Sequence, residues 1–262
     1  MGEAAVSTPL LASFAFALGA CIGSFLNVVI WRLPRGESLV RPRSRCPACG
    51  DAIPAWANVP LLSYVALRGR CRACGVRIPL RYPLVEALTG AAFAAFLLVH
   101  GPGPRLLVDW ALCAALIAVI FIDLDHHIIP NSITVPGTVI GLALALFAPQ
   151  LGVSFREALL GAAVVGGMLW ALSAGYEWLR GQIGLGMGDV KLMAMLGAFL
   201  GLQGAMAALL VGSLFGLVYG GIMIAAKGTG RSTHIPYGPA LAVGGLVLLF
   251  EPDLLQRFLV AP

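Results

Sequence analysis

The feature that most constrains this chain is the recurrence of apolar runs of the length a lipid bilayer demands. A helix needs about 20 predominantly apolar residues, range about 17–25, to cross. Runs near that length fall at roughly 9–31, 83–100, 105–123, 132–149 and 157–179. Three more run from just after Asp189 to about Leu202, from 204 to 226, and from 237 to 251. Lipid offers no partner to a backbone N–H or C=O, so each run is expected to close its hydrogen bonds as a helix. The expected fold is an all-α polytopic membrane protein with about eight transmembrane helices. The charge content agrees: 11% of residues are charged, against about 25% in an average soluble domain. The 33 glycines suit close helix contacts in lipid. The chain shows no low-complexity tract and no convincing repeat.

Charge sets the orientation. Ten arginines lie between Arg32 and Arg81, with only Glu37 and Asp51 against them. By the positive-inside rule the loop at 32–82 is cytoplasmic. The same patch is also suited to anionic lipid or an acidic partner. No stacking or groove-reading module accompanies it, so nucleic acid is not an expected partner. The first residues, M-G-E-A-A, carry no Lys or Arg, so the first run reads as a retained span with its N-terminus outside. The expected organisation is a first span at 1–31, a cytoplasmic loop domain at 32–82 and a membrane-embedded domain at 83–262. Counting spans from the loop places both Asp123 and Asp189 at the cytoplasmic edge. Lys227 and Arg231 fall inside on the same count.

C-P-A-C at 46–49 and C-R-A-C at 71–74 are two C-x2-C pairs with 21 residues between them. Thiolates at this spacing suit a tetrahedral zinc site. Cys46, Cys49, Cys71 and Cys74 are the expected ligands, and four thiolates leave no open position for a catalytic water, so the zinc would be structural. Two disulfides or four independent thiols also fit the spacing, but disulfides rarely persist in the cytoplasm. Cys21 and Cys113 lie within spans and are expected to pack.

The chemistry is expected in I-F-I-D-L-D-H-H-I-I-P (120–130) and G-L-G-M-G-D-V-K (184–191). Each sets a carboxylate against an apolar run, and a carboxylate at a membrane edge is costly enough to be a functional candidate. Asp123 and Asp189, held close, share one proton, because like charges resist ionising together. One carboxylate can then deprotonate water while the other donates to a peptide carbonyl, which is aspartic-protease chemistry. An ion or proton pathway and buried structural carboxylates are equally open from hydropathy. Asp125, His126 and His127 are a weaker metal candidate, since adjacent histidines do not share a helix face. Pro130 and Asn131 mark a turn. Gly184, Gly186 and Gly188 give the backbone before Asp189 freedom to bend close to another group. Glu86 is expected to assist the site or hold a helix contact. Lys191 is expected to pair with an acid or to snorkel to the interface.

Together these motifs resemble the type IV prepilin peptidase family over nearly the whole chain. G-S-F-L-N-V-V-I-W-R-L-P (23–34) resembles its N-terminal signature, and the two cysteine pairs resemble its zinc loop. N-V-P-L-L-S-Y (58–64) lies between the pairs and R-Y-P-L-V-E (81–86) follows them. I-D-L-D-H-H-I-I-P-N (122–131) and G-M-G-D-V-K-L (186–192) resemble its two aspartate motifs, and P-Y-G-P (236–239) a C-terminal one. The resemblance implies Asp123 and Asp189 as the catalytic pair, Gly186, Gly188, Glu86 and Lys191 in support, and prepilins or pseudopilins as substrates. It implies cleavage of a short basic leader at the cytoplasmic face of the bacterial inner membrane. It also implies N-methylation of the new N-terminus with S-adenosylmethionine, for which the sequence offers no strand–GxGxxG–helix context. The contrasting expectation is a non-enzymatic transporter or assembly subunit, which would place its acids at mid-span depth.

Overall fold

The computed structural model describes residues 2–182, 184–227, 237–252 and 254. Among these residues the chain is helical, with no β-strand beyond two isolated bridges. The helices are α1 (Gly2–Arg32), α2 (Leu62–Ala66), α3 (Arg81–His100), α4 (Pro104–His126), α5 (Asn131–Phe147), α6 (Phe155–Leu160), α7 (Gly166–Arg180), α8 (Met187–Lys227) and α9 (Gly238–Phe250). A π-turn at Gly161–Val165 joins α6 to α7. The chain divides into two compact units, 1–118 and 119–262.

Five helical stretches are long and apolar enough to cross a membrane: Thr8–Arg35, Arg81–His100, Pro104–His126, Phe155–Arg180 and Met187–Ala225. Asn131–Phe147 and Gly238–Phe250 are apolar but shorter. The protein is therefore a multi-pass membrane protein. The 41 residues of α8 are parted into two helical halves at Gly201 (φ 70°, ψ −176°), near the boundary expected between the runs at 190–202 and 204–226. Straight, α8 would run about 60 Å, twice the hydrocarbon thickness of about 30 Å. Gly201 takes a left-handed φ that other residues resist. The expected span at 237–251 is a helix of 13 residues, shorter than a lone crossing needs. Arg231 and Pro236 lie outside the described residues.

In the first unit α1 packs on α3 through two glycines one turn apart. A Cβ on Gly19 would lie 2.7 Å from the Thr89 carbonyl oxygen, and one on Gly23 2.7 Å from Glu86 Cα. This is small-residue packing of the kind lipid favours, where backbones approach without a hydrophobic drive. Cys113 is buried as expected, but Cys21 is exposed. It sits about half a turn from both glycines and so faces away from α3. Asn27 Nδ2 donates to the Tyr82 carbonyl (3.1 Å), tying α1 to the start of α3. Trp110 on α4 donates to the Phe93 carbonyl (3.0 Å) and stacks on the Phe93 ring. Asp109, fully buried, bonds Arg105 (2.8 Å) and His100 (3.0 Å). This acid lies within an apolar run, and its pairing with Arg105 one helical turn earlier explains its tolerance there.

In the second unit α8 packs against α5, α6, α7 and α9. Ser154 and Glu157 form a capping box that starts α6. Gly181 ends α7 in a left-handed turn (φ 66°). Gly161 and Gly197 bring the π-turn and α8 backbone to backbone, since a Cβ on Gly161 would lie 2.5 Å from the Gly197 carbonyl oxygen.

Candidate active site

Asp123 lies in the last turn of α4, one of the positions at which that helix stops. His127 ends it: its N–H bonds the Asp123 carbonyl (2.9 Å) and its φ is 54°. The chain then turns through Ile129 and Pro130, and α5 begins at Asn131. The turn expected at Pro130–Asn131 is therefore present. Asp189 lies in the first turn of α8, where the Asp189 N–H bonds the Gly186 carbonyl (3.0 Å). Its carboxylate reaches back to the Gly186 backbone N–H, half of a capping box in which an acid at the third helical position satisfies the first free donor.

Both carboxylates are buried, at 5% and 9% exposure. They lie within electrostatic reach of one another. Asp123 in turn bonds the backbone N–H of Gly238, where α9 begins, and lies within reach of the His127 charge. Each carboxylate thus meets the start of a helix, where free N–H groups receive anions. Asp189 Oδ1 is buried and has no hydrogen-bond partner among the described residues.

The glycines act through close approach to neighbouring groups, not through an unusual backbone. None of Gly184, Gly186 and Gly188 has a left-handed φ, so conformational freedom is not what the site draws from them. Gly188 is already helical, and a Cβ there would lie 2.9 Å from Ile129 Cβ. A Cβ on Gly186 would lie 3.2 Å from Asp189 Oδ2. Gly238, to which the sequence reading gave no role, stands in the same relation to the other carboxylate. A Cβ there would lie 2.6 Å from Asp123 Oδ2 and 2.7 Å from Ile129 Cδ1. Ile129 is therefore seated between the starts of α8 and α9, and missing side chains make the seat. The signal in the sequence was P-Y-G-P, a glycine directly before a helix-starting proline.

Lys191 donates to Asn131 Oδ1 (2.9 Å), pinning α8 to the start of α5 through an amide rather than an acid. Glu86, in the first unit, is buried and accepts from the Leu61 N–H (2.8 Å) and from Ser24. It therefore holds a contact between α1, the loop and α3. Asp125, His126 and His127 do not form a metal-ligand cluster among the described residues.

The four cysteines do. Their Sγ atoms all lie within 4.8 Å of one another, and Cys46 Sγ is 3.9 Å from Cys74 Sγ. Tetrahedral coordination at about 2.3 Å per Zn–S bond sets sulfurs about 3.8 Å apart, so the donor set fits the metal. All four are free thiols. The Cys74 and Ala73 backbone N–H groups draw Cys71 down to about 7. Although the Asp51 backbone hydrogen bond favours its thiolate, desolvation and hydrogen bonds to the other three thiols push Cys49 up to about 12. Four crowded thiols hold some of their protons until a cation replaces them.

The loop is built as a duplication, which corrects the reading of no repeat. C-P-A-C-G-D-A-I-P (46–54) and C-R-A-C-G-V-R-I-P (71–79) share six of nine residues. Their hydrogen bonds also match. Cys46 N–H bonds Asp51 O and Cys71 N–H bonds Val76 O; Ile53 N–H bonds Ser44 O and Ile78 N–H bonds Gly69 O. Gly50 and Gly75 take the same left-handed turn, at φ 74° and 71°.

A helical membrane protein with two buried carboxylates within electrostatic reach at helix starts and a four-cysteine loop has the layout of a membrane aspartic peptidase. Within that class, this chain belongs to the type IV leader peptidase family. That family's model matches residues 110–221, which hold both aspartates, and a bacterial peptidase A24 N-terminal domain model matches 17–100, which hold the cysteines. The prepilin leader peptidase/N-methyltransferase of Neisseria gonorrhoeae is 37% identical over 284 residues, covering 98% of this chain and 96% of that protein. The protein of the same name from Myxococcus xanthus is 50% identical over 222 residues, 84% of this chain; the match spans 65% of that protein's length, just under two thirds. The one from Pseudomonas aeruginosa is 36% identical, with 92% and 90% covered. No solved structure matches the chain.

Proposed function

We propose that this chain removes the leader from type IV prepilins or pseudopilins at the cytoplasmic face of the bacterial inner membrane, with Asp123 and Asp189 as the catalytic pair. The observation that carries this is the meeting of two buried carboxylates, from motifs far apart in sequence, one of them with a bare oxygen. One carboxylate, ionised, takes a proton from water as the water oxygen attacks the scissile carbonyl. The other, protonated, donates to the carbonyl oxygen, and the tetrahedral intermediate collapses with the proton passing to the departing amine. Gly186 and Gly188 in support keep the start of α8 clear of side chains, and Lys191 holds its register on Asn131. Glu86 acts on the α1–loop–α3 contact.

The sidedness rests on the ten-arginine loop and on reading two apolar stretches between Asp123 and Asp189, Asn131–Phe147 and the longer Phe155–Arg180, as one round trip. The organisation that follows is a first span at 1–31, a metal-closed loop at 32–82 and a peptidase region at 83–262. Zinc would be held by Cys46, Cys49, Cys71 and Cys74 and would lock the two halves of the duplicated loop together. N-methylation enters from the relatives' names. The described residues form no strand–glycine loop–helix unit to cradle S-adenosylmethionine. Purified protein in lipid, mixed with a prepilin, is expected to release the leader as one peptide ending at a single junction. An uncut substrate across a panel of prepilins and pseudopilins would reject the peptidase reading.

A further inference from the structure

The loop between α1 and α3 carries apolar surface that its own fold does not use. Val40, Trp56, Leu62, Val65 and Leu80 are exposed by 82%, 58%, 71%, 74% and 74%. An exposed apolar patch of this kind marks an interaction surface. In α2 the cause is geometric. Tyr64 faces the second cysteine knuckle, with its hydroxyl on the Ile78 carbonyl (3.2 Å) and its ring over Gly69. Leu62 and Val65, three residues apart, share the face turned away from Tyr64. Of the loop's ten arginines, Arg32 is buried and Arg81 half-buried; the other eight are exposed, against two exposed acids, Glu37 and Asp51. Arg72 sits over the Trp56 ring at 5.4 Å, so one cation and one aromatic ring already share a position. Both ends of the loop enter helices that cross the membrane, at Arg32 and Arg81, so the whole segment is held near the bilayer surface.

We propose that this loop docks on the bilayer itself, with Leu62 and Val65 entering the interface and the exposed arginines resting on anionic lipid headgroups. Aromatic and basic residues are the ones that settle at that depth, and each arginine near an anionic surface adds to the attraction. The cysteine cluster makes the apolar residues act together, because it fixes the two knuckles as one body. An acidic protein partner would meet the charge but would leave Leu62 and Val65 unaccounted for, flanked as they are by cations on a tethered segment.

The test uses the full-length protein in nanodiscs of phosphatidylcholine alone or mixed with phosphatidylglycerol, read by amide hydrogen exchange across 59–67. The Ser63, Val65 and Leu67 amides bond within this turn. Their exchange is expected to slow about tenfold or more when phosphatidylglycerol is present, since several arginines contribute together. Leu62→Ser with Val65→Ser should abolish the slowing. Arg68→Gln with Arg70→Gln should abolish the preference for phosphatidylglycerol. Retained zinc in each variant shows that the loop is folded. Equal exchange in both lipids, slowing that survives Leu62→Ser with Val65→Ser, or slowing that appears only when a prepilin or another protein is added, would overturn the proposal.

Discussion

Gly238→Ala adds one methyl group where the Asp123 carboxylate leaves no room for it. The new Cβ would stand 2.6 Å from Asp123 Oδ2 and 2.7 Å from Ile129 Cδ1, where ordinary contact begins at 3.4 Å. The φ of Gly238 is not left-handed, so backbone strain adds nothing and the effect is steric. Either Asp123 rotates off its bond with the Gly238 N–H, or α9 retreats from α4. Overpacking of this size costs about 1–3 kcal/mol of stability, which a helix bundle in lipid survives. A displacement of about 1 Å in a reacting group costs about 100-fold in rate. The expected result is a fall of about two orders of magnitude in kcat/KM for prepilin cleavage, with normal membrane insertion and zinc content. Gly167→Ala is the control: nothing lies within 4 Å of its Cβ position, and it should cleave at the wild-type rate. Wild-type cleavage by Gly238→Ala at equal protein level would refute the argument that α9 positions Asp123.

Three further outcomes follow from the geometry. Metal analysis of purified protein should find about one zinc per chain, as four thiolates fill one tetrahedral shell, and Cys46→Ser with Cys49→Ser should lose it. Gly23→Ala sets a methyl 2.7 Å from Glu86 Cα, where the obstacle is backbone, so thermal stability should fall by about 1–3 kcal/mol in an unfolding assay. Glu86→Ala leaves the part-buried Leu61 N–H without its acceptor, at a cost of about 1 kcal/mol; Glu86→Gln keeps an acceptor there and should recover most of that stability.

The helices were legible because hydropathy reports what lipid requires, and Asp123 and Asp189 stood out because a charge beside an apolar run is conspicuous. What hydropathy could not register was backbone geometry. The sequence placed a boundary near Leu202, but that Gly201 makes it, through a left-handed φ inside α8, is visible only in the backbone. Gly238 matters for a side chain it lacks, and the space it leaves exists only once α9 meets α4. Gly184, Gly186 and Gly188 were read for a backbone able to bend close to another group, but which groups those are, Ile129 and Tyr176, is a tertiary fact. The duplication of C-x-A-C-G-x-x-I-P was present in the letters. Cysteine spacing says nothing of the Ile and Pro that close each knuckle. Asp109 was absorbed into the span at 105–123, although Arg105 one turn earlier already offered it a partner.

The most direct test of the central claim is co-expression of a type IV prepilin with wild type, Asp123→Ala and Asp189→Ala, followed by the mass of the mature N-terminus. The wild type should release the leader, and each variant, inserted at the wild-type level, should leave the prepilin uncut. Processing by either variant at the wild-type rate would contradict the pairing of Asp123 with Asp189 as the catalytic machinery.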